Sequence, residues 1–331
     1  MRSSPIVVLS IALCAIAVAD LSAQTNSDAP EAHVAAAKAA AGQDFPGLFN
    51  MLCPAPAPTA AVQGQAPPRG QGAGGGQRQG PPDRAVWHAE PVKVFDNLYW
   101  LGQTEYSVWA VTTSDGIIVV DTIYDYSVED EVAGGLKKLG FDPAQIKYAV
   151  VSHGHADHSG GAKFLQDHYG TRILLSAADW DLLERSNGTK PKRDMVVVDG
   201  QKLTLGDTTL TLYLTPGHTA GTISTIIPVK DQGKPHIVAE WGGTSFNAGA
   251  GRDGFQSYIQ SARKFSDIVQ KTGADVIISN HTIYDGSKIK QPLLAKRKAG
   301  DPNPYVIGTA SVLRYLKVAE ECATAGLLRL N

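Results

Sequence analysis

The stretch VVSHGHADHSGG, Val150 to Gly161, places three histidines and an aspartate within six residues, directly after an apolar run. In extended or loop backbone, positions i and i+2 project the same way, so His153 and His155 can chelate one ion while Gly154 lets the chain turn tightly. Asp157 and His158 follow closely enough to serve a second ion. Imidazole nitrogens with a carboxylate suit zinc, and three protein ligands per ion leave a position open for water, the pattern of a catalytic rather than a closed structural site. Two such ions require further histidines at strand ends. LYLTPGHTAGT offers His218 in a Pro-Gly loop after a strand, and DVIISNH offers His281 directly after another. The other histidines, His33, His88, His168 and His236, fall in the N-terminal tail, before the first strand, on a helix and in a turn, and are assigned no role.

These side chains need a scaffold whose strand ends meet. From about Val86 the sequence runs in short β-branched stretches bounded by turn residues, which predicts strands at VKVFDNLYWLG, SVWAVTT and GIIVVDT, with SDG as the hairpin turn between the last two. KYAVVSHGH reads as a buried strand entering the motif; further strands are expected at TRILLSA, MVVVDG, TLTLYLT, TISTIIPV, HIVAEWGG and ADVIISN. Helices are expected at VEDEVAGGLKKLG, GGAKFLQDHYG, AADWDLLERS and GFQSYIQSARKFSDIVQKTG, and an amphipathic closing helix over Val306 to Leu328, with apolar residues at 306, 312, 316, 319, 323 and 327. The fold class is mixed α/β with sheets covered by helices.

The 331 residues carry a formal net charge of -2 and no basic stripe, which argues against nucleic acid as a partner. Residues 1–23 read as an export signal: Arg2, then the apolar PIVVLSIALCAIAVA, too short to span a bilayer comfortably, then small residues for cleavage after Ala19 or Ala23. The protein is therefore expected in the periplasm or secreted, and off the membrane once the signal is removed. Residues 24–53 form an N-terminal segment with a short alanine-rich helix, and residues 54–85, rich in Pro, Gly and Gln without apolar periodicity, a disordered linker. Residues 86–331 make up the catalytic domain. Loss of Cys14 with the signal leaves Cys53 and Cys322, a pair that an oxidising compartment allows to bridge.

The order of motifs, a VVDT strand end, then His-x-His-x-Asp-His, then PGHT, then SNH, resembles the metallo-β-lactamase superfamily over roughly residues 90 to 285. The resemblance implies an αββα sandwich with metals at one edge between the sheets. It also implies a first site from His153, His155 and His218, a second from Asp157, His158 and His281, and Asp121 of VVDT as an outer partner of the ligands. Glyoxalase-type hydrolases and lactonases of that superfamily carry a bridging aspartate in a Gly-Asp pair after the strand that here reads HIVAEW, whereas this chain has WGGTSF. Thr244 falls at that place, which looks like subclass three of the class B β-lactamases, where a serine hydroxyl stands there.

The implied activity is that of an exported hydrolase with two Zn2+ opening the β-lactam amide, with Asp157 holding the nucleophile and passing its proton on. The alternative is a hydrolase of the same fold acting on a lactone, thioester or other ester. A small-molecule substrate would meet Tyr106 and Tyr284, aromatic residues near strand or loop ends, and its carboxylate would meet Thr244 or Ser245.

Overall fold

The β-branched runs pair into two sheets. In the computed structural model, which describes residues 29–53, 80–246 and 251–330, the first sheet has the order β1-β2-β3-β4-β5-β6-β7 and the second β12-β11-β10-β9-β8. The first comprises β1 (Val92–Lys93), β2 (Leu98–Gly102), β3 (Ser107–Thr113), β4 (Gly116–Val120), β5 (Ile146–Val150), β6 (Arg172–Ser176) and β7 (Met195–Val197). The second comprises β8 (Gln201–Leu205), β9 (Thr208–Leu214), β10 (Ile223–Asp231), β11 (Lys234–Trp241) and β12 (Val276–Ser279). Thr113 pairs with Gly116 across the expected hairpin turn, and β4 to β7 then run parallel. Parallel pairing of β4 with β5, and of β11 with β12, brings the C-terminal ends of each pair to one edge.

The described residues hold ten α-helices, α1 (Pro30–Ala41), α2 (Pro46–Leu52), α3 (Gly135–Lys138), α4 (Ala156–Ser159), α5 (Ala162–Tyr169), α6 (Ala177–Arg185), α7 (Arg252–Thr272), α8 (Thr282–Asp285), α9 (Ser287–Ala295) and α10 (Thr309–Leu328), with a π-helix over Glu129–Gly134 leading into α3. Strand alternation sorts the apolar side chains into layers. Trp100, Trp109, Val120 and Val150 of the first sheet meet Leu210, Ile227, Val238 and Ile278 of the second in the interior. The opposite face of the first sheet packs on Leu136, Leu165 and Trp180, and that of the second on Phe265, Tyr315 and Leu316, so the layers run helix, sheet, sheet, helix.

The expected export signal, residues 1–23, lies outside the described residues, as does the linker from 54 to 79. The end of that linker differs from expectation: Arg84–Val86 forms a 3-10 turn capped by Asp83, whose carboxylate accepts from the Ala85 amide at 3.0 Å. The closing helix starts at Thr309 rather than Val306, because Val306 bridges to Val276 and Gly308, at φ 81, turns the chain into the helix. Strand β8 and helix α9 fall outside the expected elements. Strand β8 is a short edge strand with one buried residue, and α9 carries Pro292 and buries only Ser287, so neither shows an apolar stripe.

The apolar segment after α1 docks as α2, with Leu48 and Leu52 buried in one cluster with α10. Cys53 and Cys322 are joined as a disulfide across 269 residues, with Cα atoms 5.2 Å apart. Closing so long a loop removes roughly 5 kcal/mol of chain entropy from the unfolded state on the entropic account.

Glu240 interrupts the interior. By alternation with Val238 it faces between the sheets, and burial, then the charge of Asp121, pushes its carboxyl well above the usual carboxylate range. Above the ordinary carboxylate pKa the unfolded chain releases this proton and the folded chain keeps it, so stability falls as pH rises toward the folded value. Glu240→Gln is therefore expected to raise the unfolding midpoint at pH 8 by about 2–4 °C or more and to leave it nearly unchanged at pH 4, as read by thermal denaturation at the two pH values.

Candidate metal centre

The metal-binding types of residue converge where the strand ends meet. His153, His155 and His218 place one nitrogen each within 4.8 Å of one another, and Asp157, His158 and His281 do the same with their ligand atoms. In the first group His218 Nε2 lies 3.0 Å from both His153 Nε2 and His155 Nδ1; in the second His158 Nε2 lies 3.2 Å from His281 Nε2 and 3.3 Å from Asp157 Oδ2. The ring centroids of His153 and His158 are 4.2 Å apart, so the groups adjoin.

The rings are aimed from behind. His153 Nδ1 donates to the Gly242 carbonyl at 2.9 Å, His218 Nδ1 to the Ser245 carbonyl at 2.7 Å and His158 Nδ1 to Asp121 Oδ2 at 2.8 Å. A neutral imidazole protonated on Nδ1 presents its lone pair on Nε2, the atom each ring turns toward the centre. Burial, then the neighbouring histidines, hold His153 well below its ordinary value, and His218 is lowered to about 4 and His281 to about 3 by the same causes. His155 is lowered chiefly by burial. These four stay neutral at pH 7, as ligands must. His158 behaves oppositely: burial opposes its charge, but Asp157 and Asp121 outweigh that and raise it to about 10. Burial also opposes the charge on Asp157, yet His158 and then His281 hold it far below the usual carboxylate range. The two carboxylates thus demand positive charge between Asp157 and His158, and a divalent ion would supply it. Converging lone pairs, one carboxylate and neutral imidazoles fit a pair of metal ions, and zinc is the ion that such a donor set suits.

Asp121 sits just past β4 at φ 67, and Ile123 follows at φ 50, both in the left-handed region, which Asp enters readily and the β-branched Ile123 only at a cost. The conformation turns the Asp121 carboxylate inward, where it accepts from the Ser152 amide at 2.6 Å and hydroxyl at 2.9 Å as well as from His158. The last glycine of the motif holds this turn closed: a Cβ on Gly161 would stand 2.2 Å from the Thr122 carbonyl oxygen. The WGG departure also has a steric cause. A Cβ at Gly242 would lie 1.7 Å from the Ile223 carbonyl oxygen, and at Gly243 2.6 Å from His218 Cβ, so no carboxylate side chain fits there.

The structure separates the expected substrate residues. Tyr106 and Tyr284 flank His281, with ring centroids 5.1 Å and 5.4 Å away. Ser245 reaches the Tyr284 hydroxyl. Thr244 does not face the centre: its side chain is buried, and its hydroxyl pairs with Ser279 Oγ at 3.0 Å and stands 3.5 Å from the Tyr315 hydroxyl, so a place in substrate binding is corrected to one in the core. A cavity of about 490 Å³ opens beside His155 and His218, walled by Leu182, Pro216 and Ala220 with Arg185 at its edge.

Asp179 was not legible in the sequence. Its Oδ2 accepts from the Gly154 amide and the Thr219 hydroxyl, both at 2.8 Å, tying the two loops that carry the first group. It lies on α6, with nothing in AADWD to mark it. Asp179→Ala is expected to weaken metal binding at the first site about 10–100-fold, measured by competition with a chromophoric chelator. A third group, His88, Asp130 and Glu131, is already an ion-pair network: Arg84 pairs with Asp130, and its Nη2 lies 3.0 Å from His88 Nδ1.

Residues 101–231 match the Metallo-beta-lactamase superfamily. The metallo-beta-lactamase FEZ-1 of Legionella gormanii superposes with a TM-score of 0.66 at 24% identity, covering 73% of this chain and 97% of that one. BJP-1, a subclass B3 metallo-beta-lactamase of Bradyrhizobium japonicum, does so with a TM-score of 0.59 at 28% identity, covering 71% and 92%. Among curated sequences, a hydroxyacylglutathione hydrolase of Acidiphilium cryptum is 27% identical over 157 residues, 47% of this chain and 52% of that protein. An N-acyl homoserine lactonase of a Bacillus species is 26% identical over 153 residues, 43% and 59%. The chain spans about half the length of the curated relatives it matches. It carries a metallo-beta-lactamase superfamily domain with the two-sheet fold of that superfamily.

Proposed function

We propose that this protein is an exported hydrolase with two zinc ions that opens β-lactam rings. His153, His155 and His218 would hold the first ion and Asp157, His158 and His281 the second. The chemistry zinc supplies when bound is a water acidic enough to ionise at neutral pH and a Lewis acid for the carbonyl oxygen. The protein's part is orientation and proton handling. Asp157, the carboxylate of the second group, takes the proton from the attacking water and passes it to the departing nitrogen. Asp121 keeps His158 fixed while that charge moves. Tyr106 and Tyr284 wall one side of the centre, and the cavity beside His155 and His218 takes the acyl substituent.

The observation that carries the choice of β-lactam over lactone or thioester is the missing carboxylate in WGGTSF, where Gly242 and Gly243 leave no room for one and Thr244 is turned to Ser279. Its agreement in fold with a subclass B3 enzyme supports the same reading. A second reading, thioester hydrolysis, is favoured by the hydroxyacylglutathione hydrolases among the curated relatives. Turnover of a chromogenic cephalosporin, an acyl homoserine lactone and an acylglutathione thioester by the purified, zinc-loaded protein tests both. The β-lactam reading expects the cephalosporin to have the highest kcat/KM, and preference for the thioester would replace it with the second. Export rests on residues 1–23, and the N-terminal sequence of the mature protein, expected to begin at Asp20 or Gln24, tests it. Among the described residues no helix is long and apolar enough to cross a membrane.

A further inference from the structure

The loop that carries His281 is gripped from two sides. On one, it is stitched to the turn between β2 and β3: the Ser107 amide donates to the Asn280 carbonyl at 2.9 Å, the Thr282 amide to the Glu105 carbonyl at 3.2 Å and the Thr282 hydroxyl to the Thr104 carbonyl at 2.8 Å. On the other, it meets the N-terminal segment. Helix α2 crosses α8 so closely that a Cβ on Gly47 would stand 2.6 Å from the Ile283 carbonyl oxygen and 3.3 Å from its Cγ1. Leu48, one residue on, is fully buried in the same apolar cluster as Tyr284, whose ring stands edge-on to His281.

Besides the burial of Leu48 and Leu52, α2 depends on anchors at its ends. Seven residues are too few for a helix to persist alone. Its ends are fixed to α10 instead: by the Cys53–Cys322 disulfide at one end, and at the other by the Phe45 ring against Tyr315 at 5.3 Å and by the ion pair of Arg314 with Asp44. Helix α1 adds the His33–Glu321 pair on the same helix. The first metal group has separate supports, the Asp179 tie and the close seating of Gly217 on Tyr258, where a Cβ would lie 2.5 Å from Tyr258 Cα.

We propose that the disulfide-anchored N-terminal segment is a positioning element of the second metal site, acting through Gly47 on Ile283 and Tyr284 to hold His281 in place. The assignment rests on the two-site reading above. Gly47 is its key residue, because any side chain there must push the Ile283 backbone, and with it the loop, away from α2. The segment thus sets the affinity of one ion of the pair while leaving the other alone.

The test is stepwise titration of the metal-free mature protein with Co2+, read by visible absorption, for the wild type, Gly47→Ala, the double variant Cys53→Ser/Cys322→Ser, and Asn50→Ala on the exposed side of α2 as control. Gly47→Ala and the double serine variant are expected to weaken the second binding step about 10–100-fold, the range for removing an outer support, with the first step changed less than about threefold. Asn50→Ala should match the wild type. Gly47→Ala keeps the disulfide, so it stands as the test even if the double serine variant fails to fold. Unchanged steps in Gly47→Ala, or equal losses at both steps, would overturn the assignment, the latter by showing a merely structural role. A wild type that takes up a single ion would overturn the two-site reading and this assignment together, whereas two ions with Gly47→Ala unchanged would overturn only the latter.

Discussion

Substituting Asp157 by Asn is expected to lower kcat on the preferred substrate by about 10²–10⁴-fold, the range a positioned acid–base group contributes. Asparagine keeps the shape of the side chain and one oxygen, but it can neither accept the proton of an attacking water nor balance the charge around His158. That charge is central here: Asp157 Oδ2 lies 3.3 Å from His158 Nε2 and 3.8 Å from His281 Nε2, and Asp157 is the acidic member of its group. The variant should also bind its second ion more weakly, so kcat is to be measured at saturating zinc. Recovery of full kcat under those conditions would assign Asp157 to metal binding alone, and an unchanged kcat with unchanged zinc content would remove it from the centre.

Replacing His218 by Ala should remove the first ion. His218 is the one member of that group that comes from the second sheet, and its Nε2 stands 3.0 Å from both partners. The two remaining histidines offer one ligand fewer than an open catalytic site uses, so the loss of affinity should exceed the about 10–100-fold typical of an outer partner. Zinc per chain is expected to fall by one equivalent and hydrolysis to fall below detection. His168→Ala, on the exposed side of α5, should change neither. The comparison separates a missing ligand from a general disturbance of the fold.

The main elements were legible because periodicity carries them. Strands such as GIIVV and VIIS are short, almost wholly apolar runs, and α7 shows a full amphipathic stripe. Both groups of the centre were legible for a related reason: histidines placed directly after such runs fall at strand ends, where side chains leave the core. What stayed hidden depends on distant packing. Thr244 occupies the expected place in the chain, but the glycines before it let the backbone close on Ile223 and His218, and its hydroxyl is turned to Ser279. Asp179 acts through contacts with Gly154 and Thr219, 25 and 40 residues away, which no local pattern announces. The role of the N-terminal segment was equally out of reach, since an apolar heptapeptide shows that it must dock but not on what.

The most direct test of the account is zinc content measured beside cephalosporin hydrolysis on one sample, first treated with chelator and then titrated with zinc. A hydrolase with two zinc ions in this centre shows no turnover when metal-free, uptake of two equivalents per chain, and turnover that rises with uptake. Hydrolysis that survives metal removal, or a full rate reached without a metal bound by His153, His155 and His218, would contradict it.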